Sequence, residues 1–173
     1  MNGLRWLWLA PVDFLISLLA FPLAPLIVLC TSPGGIAPAW AWPWLTHDNP
    51  IDGDAGHRRR WDGRPVWMRR IAWLWRNRGY NFSYHVCGVA TMAPIYVHGG
   101  KAFWLEPKAQ GWCFATCGKA WMLFIWLPWG RPFGIKRGLR VYLGWKLRGE
   151  IDDPVHTDRA MLVTHINPVK GTM

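Results

Sequence analysis

The densest cluster of polar side chains has residue types that could bind a metal ion. The cluster consists of His47, Asp48, Asp52, Asp54 and His57. Carboxylate oxygens and imidazole nitrogens are common ligands of divalent cations. No acid follows at the offset that a twelve-residue calcium loop requires, and Asx turns explain Asp-Asn-Pro and Asp-Gly without an ion. We therefore predict no metal site, and we expect some of these carboxylates to pair with Arg58–Arg60.

Motifs of catalysis are absent from the sequence. There is no nucleophile elbow, P-loop, dinucleotide fingerprint or HExxH helix. His85, His98, His156 and His165 could form an acid–base pair only if folding brings two of them together, and a lone strand histidine is more often a structural hydrogen-bonding group. We predict no catalytic residue and no cofactor, and hence a protein that is not an enzyme.

The cysteines give no sign of a metal knuckle or a redox motif. They are Cys30, Cys87, Cys113 and Cys117. None of them forms a C-x-x-C pair, so we predict free, buried thiols, which are compatible with a reducing compartment. Cys113 and Cys117 are four residues apart, which places them on one face of an unbroken strand.

An apolar segment precedes all of these residues. Residues 14–30 carry no charge over seventeen positions, and Trp6–Leu9 extend the segment past twenty, interrupted only by Asp13. That length predicts a membrane helix, in which Pro22 and Pro25 would introduce a kink. The alternatives are a buried core helix and a signal peptide, although Arg5 is the only basic side chain of an n-region.

A tryptophan-rich segment follows at residues 36–45. Its Trp40, Trp42 and Trp44 stand at even spacing, as aromatic residues do at a membrane boundary. We interpret the segment as an interfacial or re-entrant return, with a Trp-rich loop packed on the globular part as the alternative. Turn-forming residues then fill 46–65, which we predict to be a loop. The predicted domains are a hydrophobic anchor at 1–45 and a small basic α+β domain at 46–173.

Residues 66–79 have the spacing of an amphipathic helix that follows Pro65. Its apolar face would consist of Trp67, Ile71, Leu74 and Trp75, with Arg69, Arg70 and Arg76 lying off that face. Tryptophan beside arginine favours contact with an anionic membrane, and packing on a sheet is the alternative.

Beyond residue 80 the pattern alternates and predicts an antiparallel β-meander, so the fold class is α+β. The predicted strands are Tyr80–Val86, Lys101–Leu105, Gly111–Thr116, Ala120–Leu127, Leu139–Leu147 and Ala160–Ile166. In Leu139–Leu147 the odd positions are apolar, whereas Arg140, Tyr142 and Lys146 share the other face. Such a strand is expected at a sheet surface.

The charge balance indicates an anionic partner. The 173 residues contain 20 Lys+Arg and 10 Asp+Glu, which gives a formal net charge of +10, and the 51% hydrophobic content excludes disorder for most of the chain. The basic residues at 131–148 and Arg58–Arg60 could attract nucleic acid or anionic lipid, and no nucleic-acid motif is present. Because most basic residues follow the apolar segment, we expect the globular part in the cytoplasm.

Four segments carry a resemblance to a known group of proteins. They are Thr46-x-Asp48-Asn49-Pro50-x-Asp52-Gly53-Asp54, Trp73-Leu74-x-Arg76-Asn77-x-x-Tyr80-x-Phe82, Leu139-Arg140-x-x-x-Gly144-Trp145-Lys146-Leu147 and Ile166-Asn167-Pro168. In this order they resemble uncharacterised small membrane-associated proteins of tailed bacteriophages. The resemblance implies a phage origin and a location at the host membrane, and it assigns no functional residue.

These observations predict a non-enzymatic, membrane-anchored phage accessory protein. It would present a basic, β-rich domain at the cytoplasmic face of the host inner membrane to lipid and to an unidentified protein partner. One alternative is a virion-associated structural protein whose apolar N-terminus packs into an oligomer. Another is a metal-dependent hydrolase or nuclease built on His47–His57.

Overall fold

A computed structural model describes residues 3–100, 111–130, 137–147 and 159–171. The helical elements are α1 (Gly3–Leu29), a 3₁₀ helix (Ala39–Trp44), α2 (Ala55–Arg60), α3 (Val66–Arg76) and a π-helical turn (Phe82–Val86). The strands are β1 (Val89–Ala90), β2 (Ile95–Gly100), β3 (Gly111–Cys117), β4 (Ala120–Gly130), β5 (Arg137–Trp145), β6 (Arg159–Ala160) and β7 (Leu162–Gly171). An apolar N-terminal helix, short helices and antiparallel sheets confirm the predicted α+β class.

The described chain forms two compact units. The first contains the residues up to Ala10 and those from Cys87 onward, and the second is Pro11–Val86. The predicted division into a hydrophobic anchor at 1–45 and a small basic α+β domain at 46–173 stays a prediction.

The first unit contains a five-stranded antiparallel sheet with the strand order β2-β3-β4-β5-β7, and a separate pair, β1 with β6. The short turn between Cys117 and Ala120 joins β3 to β4, and these two residues are opposite each other in the register. The consecutive strands β2 to β5 are therefore neighbours in the sheet, as a meander requires, and β7 pairs with β5.

The predicted faces are correct around the end of β5, where Trp145 and Leu147 are buried and Lys146 is exposed, and they are wrong at its centre. Tyr142 is only 3% exposed, whereas Val141 and Leu143 are half-buried. The Tyr142 ring meets Phe124 edge-on at 5.2 Å, and the Arg140 guanidinium lies 5.5 Å from the Phe124 centroid. The aromatic body of Tyr142 and its stacking partners outweigh its hydroxyl, so polarity alone misassigns the buried side.

The segment Tyr80–Val86, predicted as a strand, is helical. The Ser83 N–H donates to the Gly79 carbonyl at 2.9 Å, and the rings of Tyr80 and Tyr84 stack at 6.0 Å. Aromatic side chains four residues apart contact each other on a helix. On a strand they share one face but lie too far apart to touch. Local pairing thus overrides their β propensity.

Other boundaries also differ from the predictions. The predicted loop 46–65 contains α2, β2 was not predicted, and Lys101–Leu105 lies outside the described residues. The predicted strand Ala160–Ile166 is divided at Met161 into β6 and β7, and β7 continues past Asn167-Pro168. Pro168 is accommodated because β7 is an edge strand of the five-stranded sheet.

Candidate functional site

Helix α1 exposes large apolar side chains along its length. In the described part of the chain, it is the one helix that is long and apolar enough to cross a membrane. Its exposed large side chains are Leu4, Leu7, Trp8, Val12, Phe14, Leu15, Leu18, Leu19, Phe21, Leu26 and Leu29. Only 22% of its most apolar 18-residue stretch is buried, whereas the core helix of a soluble protein is mostly buried.

The opposite side of α1 carries mainly small or polar residues. In the second unit the covered positions include Asp13, Ser17, Ala20, Ala24 and Ile27, which are four and three residues apart in alternation. Positions at this spacing lie on one helix face. We call these five residues the inner stripe. Small residues towards protein and large apolar residues outward reverse the pattern of a water-soluble helix, and this arrangement is typical of helices that pack within lipid.

The inner stripe contributes to the core of the second unit. Ala24 and Ile27 are fully buried there. Their buried partners, from the segments after α1 and from α3, are Ala37, Ala41, Leu45, Ile51, Trp73 and Leu74. Removal of α1 would therefore open this core.

A proline inside α1 leaves a backbone carbonyl that another element satisfies. Pro25 has no N–H, so the carbonyl of Phe21 loses its helical donor. The Trp75 indole donates to that carbonyl at 3.3 Å, and the Arg78 guanidinium lies 5.0 Å from the Phe21 ring centroid. The chain of the second unit thus supports α1, which is one continuous helix through all three of its prolines.

The acid within the apolar segment faces protein. Asp13 is 4% exposed, and its carboxylate is within hydrogen-bond distance of the Ser83 hydroxyl. The same hydroxyl lies 2.8 Å from the Gly79 carbonyl. A carboxylate that faced acyl chains would be costly, so its position on the inner stripe leaves the outer face of α1 apolar.

The tryptophan-rich segment contains the 3₁₀ helix. One of its tryptophan rings contacts protein, and the other two are exposed. The Trp44 indole donates to the Ile16 carbonyl of α1 at 2.8 Å. Trp40 and Trp42 are 49% and 42% exposed. Their interfacial role stays a prediction.

Asp52 links α3 to the chain that follows α1. Its carboxylate accepts hydrogen bonds from Arg69 Nη2 and Arg70 Nε, each at 3.0 Å. Arg70 also donates to the carbonyls of Pro33, at 3.0 Å, and Ser32, at 3.4 Å. The Arg70 and Arg69 guanidinium groups hold the pKa of Asp52 below its ordinary value.

The prediction that some carboxylates of the polar cluster pair with Arg58–Arg60 is wrong for Asp52 and Asp54. Arginines of α3 reach these acids instead: Arg69 and Arg70 bind Asp52, and Arg76 Nη1 lies 3.4 Å from Asp54. The helix places these guanidinium groups beside the acids, whereas Arg58 donates to a backbone carbonyl. Among the residues that the structure describes, no group of three His, Cys, Asp or Glu is placed to hold a metal ion.

Asp54 caps α2, and its removal gives a measurable prediction. Its carboxylate accepts the His57 N–H at 2.6 Å, and this backbone hydrogen bond lowers the pKa of Asp54. We expect Asp54→Ala to reduce the free energy of unfolding by about 1 kcal/mol, measured by urea denaturation of the detergent-solubilised protein. Asp54→Asn keeps a capping acceptor and should lose less. An equal loss in both variants would contradict a capping role.

The sequence model of one protein family matches residues 1–173, and its description is "Family of unknown function (DUF7338)". The chain belongs to DUF7338. No curated protein and no solved structure matches it. The DUF7338 match covers α1 together with both units, so the apolar helix is part of the family's sequence pattern.

Some basic residues of this DUF7338 chain are exposed, and others contact the sheet. Arg58–Arg60 are exposed. Arg137 donates to the Val169 carbonyl at 3.1 Å, and Arg140 stacks on Phe124. Of the basic run at 131–148, Arg131, Lys136 and Arg148 lie outside the described residues.

The histidines have structural neighbours in the DUF7338 fold. The Nε2 atom of His57 lies 2.9 Å from the Arg69 carbonyl, and the His98 ring is 2.6 Å from the Thr116 hydroxyl. The His47 ring lies edge-on to that of Tyr84 at 4.7 Å and to that of His85 at 5.2 Å. His156 is outside the described residues.

All four cysteines are free thiols. Cys87, Cys113 and Cys117 are buried, and the last two share one face of β3, as predicted. Burial raises the pKa of Cys113 to about 11. Cys30 is exposed, contrary to the prediction, because it lies directly after the end of α1.

Two features of the site were not predicted from the sequence. The inner stripe could have been found, because its alternating spacing of four and three is visible within the apolar run. The Asp13–Ser83 contact could not, because it joins residues 70 positions apart and requires Tyr80–Val86 to be helical.

Proposed function

We propose that this protein is a non-enzymatic, membrane-anchored phage accessory protein. It holds a basic, β-rich domain against the cytoplasmic face of the host inner membrane. The observation that carries the anchor is the composition of the two sides of α1: the inner stripe packs against protein, and the outer face consists of large apolar side chains. Exposure of that outer face to water would be unfavourable in free energy, whereas contact with acyl chains would bury it.

Charge supports the orientation. All but one of the 20 Lys+Arg follow α1 in the sequence, and a bias of basic residues to one side of an apolar segment favours the cytoplasm for that side. Exposed Arg58–Arg60 would also meet anionic lipid. The phage origin is supported by the sequence resemblance alone. The non-enzymatic role is supported by the structural partners of Asp52, Asp54, His57 and His98.

Fractionation of bacteria that express the full chain tests the anchor. We expect the protein in the membrane fraction, resistant to a high-salt wash and released by detergent, because apolar contact does not weaken with ionic strength. Recovery as a soluble monomer would overturn the proposal. Release by salt alone would also overturn it, since that result would indicate purely electrostatic attachment.

A further inference from the structure

The outer face of α1 extends along one side of the helix, and the second unit covers the other side. Within Pro11–Val86, the contacts on α1 begin at Asp13 and continue to Ile27. Between them, the Trp44 indole reaches the Ile16 carbonyl, and the Ser17 hydroxyl donates to the Arg78 carbonyl at 3.3 Å. The covering chain is therefore beside the helix, not at one end of it.

These flanking contacts bring a charge to the middle of the helix. Arg78 is exposed, and its guanidinium stacks over Phe21. In a helix that runs from Gly3 to Leu29, the centre is near Ile16 and Ser17. If α1 crossed a bilayer, its centre would lie at the bilayer midplane, and the Arg78 guanidinium over Phe21 would be about 8 Å from that plane, still within the hydrocarbon core. An arginine at that depth is strongly unfavourable.

We infer that α1 lies in the plane of one leaflet, with its outer face among the acyl chains and the second unit on the headgroup side. This inference rests on the proposed membrane anchor. It also explains why α1 has no polar face of its own. An in-plane helix normally provides one, and here the polar surface is supplied by the chain that covers the inner stripe.

The residues at the flank of α1 suit this position. Trp75 is 43% exposed, packs on Phe21 with ring centroids 5.9 Å apart, and lies beside Arg78 in this contact. Tryptophan and arginine are the side chains found where acyl chains meet headgroups. Arg78 would place its charge at anionic lipid phosphates, and Phe21 would lie just below them.

Lipid fits the outer face better than a second copy of the chain does. Helices that pair within membranes approach through small residues. On α1 those residues are on the inner stripe and already contact protein, whereas the outer face presents Leu15, Leu18, Leu19 and Leu26. Bulky flexible side chains of this kind keep two helix backbones apart.

Thiol labelling at the two ends of α1 tests the in-plane position. Cys30 reports one end in the natural chain. The double variant Gly3→Cys, Cys30→Ser reports the other, and a Cβ at Gly3 meets no atom within 4 Å. The probe is a membrane-impermeant maleimide, applied to intact spheroplasts and to inverted membrane vesicles. The single variant Cys30→Ser measures background from the buried cysteines.

We expect both ends to be labelled in inverted vesicles and neither in spheroplasts. Labelling of the two ends from opposite sides would show a spanning helix and overturn the inference, while the membrane anchor would stand. Labelling of neither end from either side would also overturn it. Efficient oxidative cross-linking of Leu18→Cys into a dimer would assign the outer face to a second copy. Absence of the chain from the membrane fraction would instead refute the proposed function itself.

Discussion

The triple variant Leu15→Glu, Leu18→Glu, Leu26→Glu is expected to release the protein from membranes into the soluble fraction. These side chains are 57%, 50% and 48% exposed, so the substitutions leave the core of the second unit intact. Each removes about 1 kcal/mol of apolar burial in lipid, because about half of the side chain is exposed, and each adds the cost of placing a carboxylate among acyl chains. Together they should weaken partitioning by roughly 5 kcal/mol or more, which is over a thousandfold. Flotation with lipid vesicles measures the change.

A matched control separates this effect from the added charge. Met92→Glu, Tyr96→Glu, Ile166→Glu introduces the same three charges at side chains that are 92%, 59% and 65% exposed in the first unit. This variant should still float with the vesicles. If both variants are released equally, net charge controls attachment and the outer face of α1 does not. If the α1 variant still floats, its outer face is not in lipid.

Substitution of Asp52 is expected to cause the largest loss of stability in the second unit. Arg70 is 8% exposed and would remain buried without its carboxylate partner. Breaking a buried pair costs about 3 to 5 kcal/mol, and we expect about 2 to 3 kcal/mol for Asp52→Asn because the Asp52 side chain is 23% exposed. Urea denaturation in detergent at neutral pH measures the loss. Asp62→Asn changes the same charge at an exposed position and should alter stability by less than about 0.5 kcal/mol.

The same pair gives a pH dependence with a definite sign. The pKa of Asp52 in the folded chain is below its ordinary value of 3.8. Its contribution to stability is therefore complete above about pH 4 and is lost as the pH falls through the lowered pKa. The stability difference between the natural chain and Asp52→Asn should shrink below pH 4. A difference that stays constant into strong acid would contradict ionic stabilisation by Asp52.

The local sequence pattern was sufficient to predict the elements whose structure depends mainly on their own residues. The length and apolarity of residues 14–30 predicted α1, Pro65 correctly marked the start of α3, and the short turns predicted the β3–β4–β5 meander. In these segments, propensity and packing favour the same conformation.

Local pattern failed where a distant partner decides which side is buried. Arg70 was predicted to lie off the apolar face of α3, yet it is buried. Its partner is Asp52, which is 18 positions away in the sequence. Trp67, predicted on that face, is 56% exposed. The buried side of α3 includes Arg70 and Trp73 because the acid and the core that they contact lie on that side. The positions of that acid and that core cannot be predicted from the spacing of residues within α3.

A nitroxide at Leu18 tests the contact between α1 and lipid most directly. The label is attached to Leu18→Cys in a Cys30→Ser background, where the remaining cysteines are buried, and the protein is bound to vesicles. Oxygen concentrates among acyl chains, whereas a nickel chelate stays in water. We predict that oxygen relaxes the Leu18 label strongly and that the chelate does so weakly, with the reverse for a label at Met92→Cys, which is on the sheet-bearing unit. Strong relaxation of the Leu18 label by the chelate would place the outer face of α1 in water and contradict a membrane anchor.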